Sequence, residues 1–197
     1  QHGISDDRIF LSGSPRHDKF FRNSHNASSD TKLRVLVTLG MLDEQNAIFS
    51  TELFLRFESI LEKIFLTLES IPNLSFVVKL HPSLQKNNIQ MKNFIQELNS
   101  KISIKQFSSI LDEIKDCDIM INVFTEIYGS TVMLEGLILE KPILNISLDT
   151  RSFEFEFEKN NAVLSKSYID DIDQSIKEIL FDKNLQENLI KNGNKHV

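Results

Sequence analysis

A chain of 197 residues with one cysteine, Cys117, can neither close an intrachain disulfide nor build a cysteine zinc cluster. Cys117 stands between a helical pattern and a strand pattern and reads as a small hydrophobe, and a reducing, cytoplasmic location fits it. Nowhere does the sequence approach the ~20 consecutive apolar residues that a membrane span requires. The opening residues, Gln1-His2-Gly3-Ile4-Ser5-Asp6-Asp7, are polar and lack the apolar run of a signal peptide. Basic charge is also in short supply. Lys and Arg number 22 against 28 Asp and Glu, a net charge of −6, which argues against a nucleic-acid partner. It does not argue against a nucleotide ligand, because a local site can be positive in an acidic protein. There is no internal repeat and no low-complexity tract. With no initiator Met, the chain is expected to be a piece of a longer protein.

What is present is ordinary for a globular α/β domain: 41 % hydrophobic and 25 % charged residues. A short strand is expected at residues 8–13, then a polar loop over 22–32. Leu33 to Leu39 is rich in branched apolar residues, is stopped by Gly40 and reads as a strand. A long helix is expected from Ser50 or Thr51 to Ser70, with Phe54, Phe57, Ile60, Leu61, Ile64, Phe65 and Leu68 at helical spacing and Pro72 beyond its end. Further strands are expected at 74–80, 102–104, 119–123 and 142–146. Helices are expected at 89–98, from Ser108 or Ser109 to Lys115, at 131–139, 170–181 and 185–191. Phe153 to Glu158 alternates aromatic and acidic residues, which is a strand pattern, with an irregular loop near a site mouth as the alternative. Strands alternating with helices over short links indicate an α/β fold, a Rossmann-like parallel sheet with helices on both faces. Crossovers should be right-handed, and ligands should sit beyond the carboxyl ends of the strands.

Two strand ends carry candidate chemistry. Gly129-Ser130-Thr131 lies between the strand 119–123 and the following helix. A small-residue turn opening a helix there offers free backbone N–H groups, the helix dipole and two hydroxyls to an anion such as phosphate. The alternative is an ordinary helix cap. Val77-Val78-Lys79-Leu80-His81-Pro82-Ser83 ends a strand in a histidine, and Lys79 shares a strand face with His81 by period-two alternation. Lys79 reads either as a phosphate ligand or as a salt-bridged lysine. Gly40, at the end of the first core strand, permits close backbone approach to a ligand or simply turns the chain. Glu135 lies one helical turn past Thr131, on the same face. Arg16 and Asp18 read as parts of a structural turn. Asp116-Cys117-Asp118 has the spacing of a metal motif but starts a strand, on the edge away from a ligand, so no metal site is expected.

In order, Gln1-His2-Gly3, Gly13-Ser14-Pro15-Arg16-His17-Asp18, Leu80-His81-Pro82, Gly129-Ser130-Thr131, Glu135 and Lys141-Pro142-Ile143 resemble the C-terminal half of GT-B-fold glycosyltransferases. The nearest flavour is the bacterial surface-polysaccharide group: CDP-glycerol polyol-phosphate transferases, capsule transferases and sialyltransferases with a His-Pro motif. The match spans most of residues 1–147 as scattered short motifs. The resemblance implies residues 1–32 as an interdomain entry segment and linker, and 33–197 as a nucleotide-donor-binding Rossmann-like domain with C-terminal helices. It implies that His81 contacts the donor phosphate and assists leaving-group departure, that Ser130 and Thr131 bind phosphate, and that Glu135 accepts from ribose hydroxyls. His2 and Gly3 would lie near the interdomain cleft. The implied partners are a CMP-, CDP- or UDP-linked sugar or polyol, a glycan or lipid-linked acceptor, and an N-terminal domain of the same protein. No separate cofactor or metal is implied, and the implied location is the cytoplasm or the inner face of the membrane. Glu126 and Glu135 have eight residues between them where retaining transferases carry seven, so no retaining mechanism is carried over. Two alternatives stand beside this reading: a UDP-N-acetylglucosamine epimerase-like enzyme, and a non-catalytic doubly wound binding module.

Overall fold

The computed structural model describes residues 15–22, 32–40, 51–82, 86–124, 131–148 and 155–197. The expected strand at 8–13, the turn Gly129-Ser130 and residues His2, Gly3, Glu126 and Phe153 lie outside the described residues.

Six strands form one parallel sheet: β1 Leu33–Leu39, β2 Leu74–Lys79, β3 Ser103–Lys105, β4 Ile119–Phe124, β5 Ile143–Ser147 and β6 Leu164–Ser167. Their order is β3-β2-β1-β4-β5-β6. This is the doubly wound order, in which the chain builds outward from β1 to one edge and then restarts on the other side of β1. The point of reversal lies between β1 and β4, and in open α/β sheets ligands bind at the strands' carboxyl ends beside such a point.

Around the sheet run α1 Asp18–Phe21, α2 Thr51–Glu69, α3 Lys86–Leu98, α4 Ile110–Asp116, α5 Thr131–Ile138, α6 Glu156–Lys159, α7 Ile172–Phe181 and α8 Lys183–Gly193. Because both faces of a parallel sheet are covered, its strands are apolar on both sides. Val35, Val37, Leu39, Ile121, Val123, Leu144 and Ile146 pack on the apolar stripe of α2 (Phe57, Ile60, Leu61, Ile64, Phe65, Leu68) and on Ile172, Ile176 and Ile179 of α7. Leu36, Met120 and Ile143 face the other way, against Phe20 of α1, Ile114 of α4, and Met133 and Leu137 of α5. Phe20 is wholly buried there, so residues 15–22 are seated on the sheet domain.

Helix starts follow local chemistry. Ser109 Oγ accepts from Asp112 N at 3.4 Å, Asp171 caps α7 through Gln174 N at 3.0 Å, and Asp182 caps α8 through Leu185 N at 2.9 Å.

The strand expected over the Phe-Glu alternation is corrected at its described end. Residues Glu156–Lys159 form α6, with Phe155 and Phe157 stacked at 5.4 Å. The carboxylate of Glu158 decides this: it accepts from Phe155 N at 3.0 Å, from Asn145 Nδ2 at 2.9 Å and from Ser165 Oγ at 2.7 Å. Those three bonds require Glu158 to turn inward over the sheet, which an edge strand with outward acids would not allow. The sixth strand is instead Leu164–Ser167, whose one large apolar residue pairs with Leu144.

Candidate functional site at the carboxyl edge of the sheet

At the switch point β1 is held to β4 to its last residue, and Gly40 N continues the ladder by donating to Val123 O at 2.9 Å. Beneath this edge a polar row crosses four strands in register: Thr38, Asn122, Asn145 and Ser165. Thr38 Oγ1 donates to Asn122 Oδ1 at 2.9 Å, Asn122 Nδ2 to Asn145 Oδ1 at 2.8 Å, and Asn145 Nδ2 to Glu158. The first three are buried, and each bond leads toward the Glu158 carboxylate. A buried polar group is tolerable only when satisfied, and this row satisfies itself. It also ties α6 to the strand at the switch point.

Above the row, α5 opens at Thr131, whose side chain is exposed, and Glu135 follows one turn on. Glu135 is 1 % exposed. Its Oε1 accepts from Arg16 Nη2 at 3.2 Å, and the same Nη2 lies 3.4 Å from Thr131 Oγ1. Among the described residues Oε2 of Glu135 is buried with no partner. A buried carboxylate oxygen without a donor costs free energy, and a hydroxyl or water delivered by a ligand would recover it. Arg16, read from the sequence as part of a turn, thus reaches the α5 mouth, a placement that no local pattern announces.

His81 leaves the carboxyl end of β2 and is exposed, its backbone carbonyl accepting from Asn88 Nδ2 at 2.9 Å. β2 and β4 flank β1, so His81 and the segment leading to α5 depart the sheet two strands apart, about 10 Å at ~4.8 Å per strand. Lys79 is buried, and its Nζ donates to Leu80 O at 3.2 Å and to Gln106 O. Two of its three N–H donors therefore tie together the segments that follow β2 and β3. Burial holds its amine below the ordinary lysine range, with the Glu113 carboxylate opposing the shift. Glu113 is itself paired to Lys105 Nζ at 3.0 Å.

Sequence reasoning passed over Phe107, 69 % exposed just beyond β3 on the same carboxyl side. Its signal was an aromatic at a strand's end, outside any helical stripe. Asp118 has no part in this edge: it closes the amino end of β1 and β4, its N donating to Arg34 O at 2.8 Å and its Oδ2 accepting from Arg34 N at 2.8 Å. Among the described residues no group of three or more His, Cys, Asp or Glu is placed to share a metal ion, and no helix is long and apolar enough to cross a membrane.

No family profile and no curated protein matches the chain. Solved structures do. The chain resembles the S. aureus MnaA–UDP co-structure with a TM-score of 0.56 at 14 % identity, covering 94 % of this chain and 43 % of that one. It resembles the spinosyn rhamnosyltransferase SpnG complexed with thymidine diphosphate with a TM-score of 0.56 at 16 % identity, covering 85 % and 42 %. A glycosyltransferase from Rickettsia africae ESF-5 gives 0.55 at 16 % identity, covering 92 % and 46 %. The chain therefore spans less than half the length of each. At such identities the likeness establishes the fold, a Rossmann-like α/β unit of the kind found in GT-B glycosyltransferases.

Proposed function

We propose that this chain is the donor-binding part of a transferase that moves a sugar or polyol phosphate from a nucleotide-activated donor during glycan or surface-polysaccharide synthesis. The observation that carries this reading is the buried carboxylate of Glu135, with one oxygen lacking a partner among the described residues, beside the opening of α5 at the switch point. A ribose hydroxyl would donate to that oxygen. Thr131, Ser130 and the first N–H groups of α5 would bind the donor's phosphates, and Gly40 would let the backbone approach them. The UDP and thymidine diphosphate named with two of the similar structures support a nucleoside diphosphate as the ligand.

In the transfer, an acceptor hydroxyl attacks the anomeric carbon, or the phosphorus of a polyol phosphate donor. The bond to the nucleotide's phosphate breaks, and negative charge grows on the leaving phosphate oxygen. Donors aimed at that oxygen lower the barrier because they bind it more strongly as its charge develops. His81, at the neighbouring strand end, would supply one such donor, strengthened when protonated. A further domain would supply the acceptor site and its deprotonating base across a cleft that His2 and Gly3 of this chain would border, at the cytoplasmic side of a membrane where the acceptor is lipid-linked.

The test is a thermal-shift panel of UDP, CDP, CMP, GDP, ADP and dTDP on the full-length protein. A ligand that binds only the folded state at a hundred times its Kd stabilises it by about 2.7 kcal/mol. One nucleotide should raise the midpoint clearly, and His81→Ala and Glu135→Ala should each reduce that rise. A flat panel would contradict the donor reading.

A further inference from the structure

Arg16 precedes Thr131 by 115 residues, yet one of its nitrogens bridges Thr131 Oγ1 and Glu135 Oε1. The two ends of this ion pair differ sharply in exposure: 60 % for the Arg16 side chain and 1 % for that of Glu135. The segment carrying Arg16 is anchored, since Phe20 four residues on is buried among Ile114, Met133 and Leu137.

The mouth of α5 presents a conflict of charge that Arg16 resolves. The helix N-terminus attracts an anion, but the carboxylate of Glu135, one turn inside, repels it. Lys79 is no remedy, with its ammonium turned onto two backbone carbonyls. A guanidinium carries five N–H donors in a planar fork, and both bonds to α5 use Nη2. Most of the side chain faces solvent at the helix mouth. Glu135 Oε2 makes the opposite demand: buried and without a partner among the described residues, it calls for a hydroxyl donor, which an anion alone cannot supply. A ligand with a hydroxyl and a phosphate a few ångströms apart satisfies both.

We infer that Arg16 is a diphosphate-binding residue of the donor site, contributed by the entry segment and not by the sheet. It neutralises Glu135, holds Oε1 so that Oε2 is left for a ribose hydroxyl, and directs its outward N–H groups at the donor's diphosphate. This inference rests on the donor-site reading above.

The experiment titrates the full-length protein with UDP, dTDP and CDP and with uridine, thymidine and cytidine, following binding by NMR. Arg16→Met should weaken the preferred diphosphate about ten- to a hundredfold, as loss of a charge-assisted pair does, while its nucleoside changes by less than about threefold. Arg16→Lys, which keeps the charge but not the fork, should recover part of the loss. The loss should persist when Arg16→Met is made on Glu135→Gln. Disappearance of the loss in that background would reduce Arg16 to a counter-charge and overturn the inference. So would equal weakening of nucleoside and diphosphate, or a diphosphate affinity that Arg16→Met leaves unchanged while the wild type binds. A wild-type protein that binds none of the six overturns the inference, and the donor-site reading falls with it where the thermal-shift panel is flat as well.

Discussion

Residue by residue, burial separates groups that are held in place from groups that face solvent. Cys117 belongs to the first kind. It is 4 % exposed, its Sγ points at Ile114 O at 3.2 Å, and burial pushes its thiol up to about 12. Thiolate is the reactive form, so at pH 8 the native protein should react with iodoacetamide on the order of a thousandfold more slowly than the same protein in denaturant. Fast native labelling would show that the turn between α4 and β4 opens. The sign for stability follows from the same shift. The folded thiol holds its proton where the unfolded one, near 9.0, has lost it, so this group's contribution falls as pH rises from about 9 toward 12. The burial of Cys117 was legible in the sequence, because an isolated cysteine between apolar elements reads as a small hydrophobe. The bridge from Arg16 to Thr131 and Glu135 was not, since nothing local marks a partner 115 residues away. Nor was the Thr38–Asn122–Asn145 row, whose members look like unrelated polar interruptions until strand register lines them up.

At the level of elements, α5 shows how closely the site is built on its packing. Gly136 sits directly after Glu135 and faces the sheet. A Cβ placed there would lie 2.5 Å from Met120 Sδ and 2.9 Å from Ile143 Cδ1, both wholly buried side chains of β4 and β5. Overpacking of this kind costs about 1–3 kcal/mol. Replacing a helical glycine by alanine returns at most about 1 kcal/mol. Gly136→Ala should therefore lower stability by about 1 kcal/mol, read as a lower urea midpoint at unchanged slope. An unchanged or higher midpoint would mean that Met120 and Ile143 yield without cost. Long elements with strong periodicity, α2 and the apolar strands β1, β2, β4 and β5, could be read from the sequence because their residues report burial directly. α6 and β6 could not. Each is four residues long, and the fate of the Phe-Glu run was decided by three donors converging on Glu158, from its own N-cap, β5 and β6.

For the whole molecule, the doubly wound order is what makes the candidate site one place. Residues from the segment 15–22, from the ends of β1 and β2 and from α5 meet at one edge because the chain reverses direction between β1 and β4. The alternation of strands and helices foretold the parallel sheet, and from the sheet follows the expectation of a ligand beyond its carboxyl ends. It could not foretell that residues 15–22 pack on α5 as part of the same body, because that docking depends on one phenylalanine and one arginine. The proposed function makes this edge, and no other surface, the place where a nucleotide binds. Hydrogen–deuterium exchange of the full-length protein, with and without the nucleotide that stabilises it most, tests that most directly. Exchange should slow in peptides covering the carboxyl ends of β1, β2 and β4, the start of α5 and residues 15–22, with α7, α8 and the amino ends of the strands unchanged. Protection at the amino ends of the strands, or on α7 and α8, with none at the carboxyl ends of β1 and β4 would contradict the proposed function.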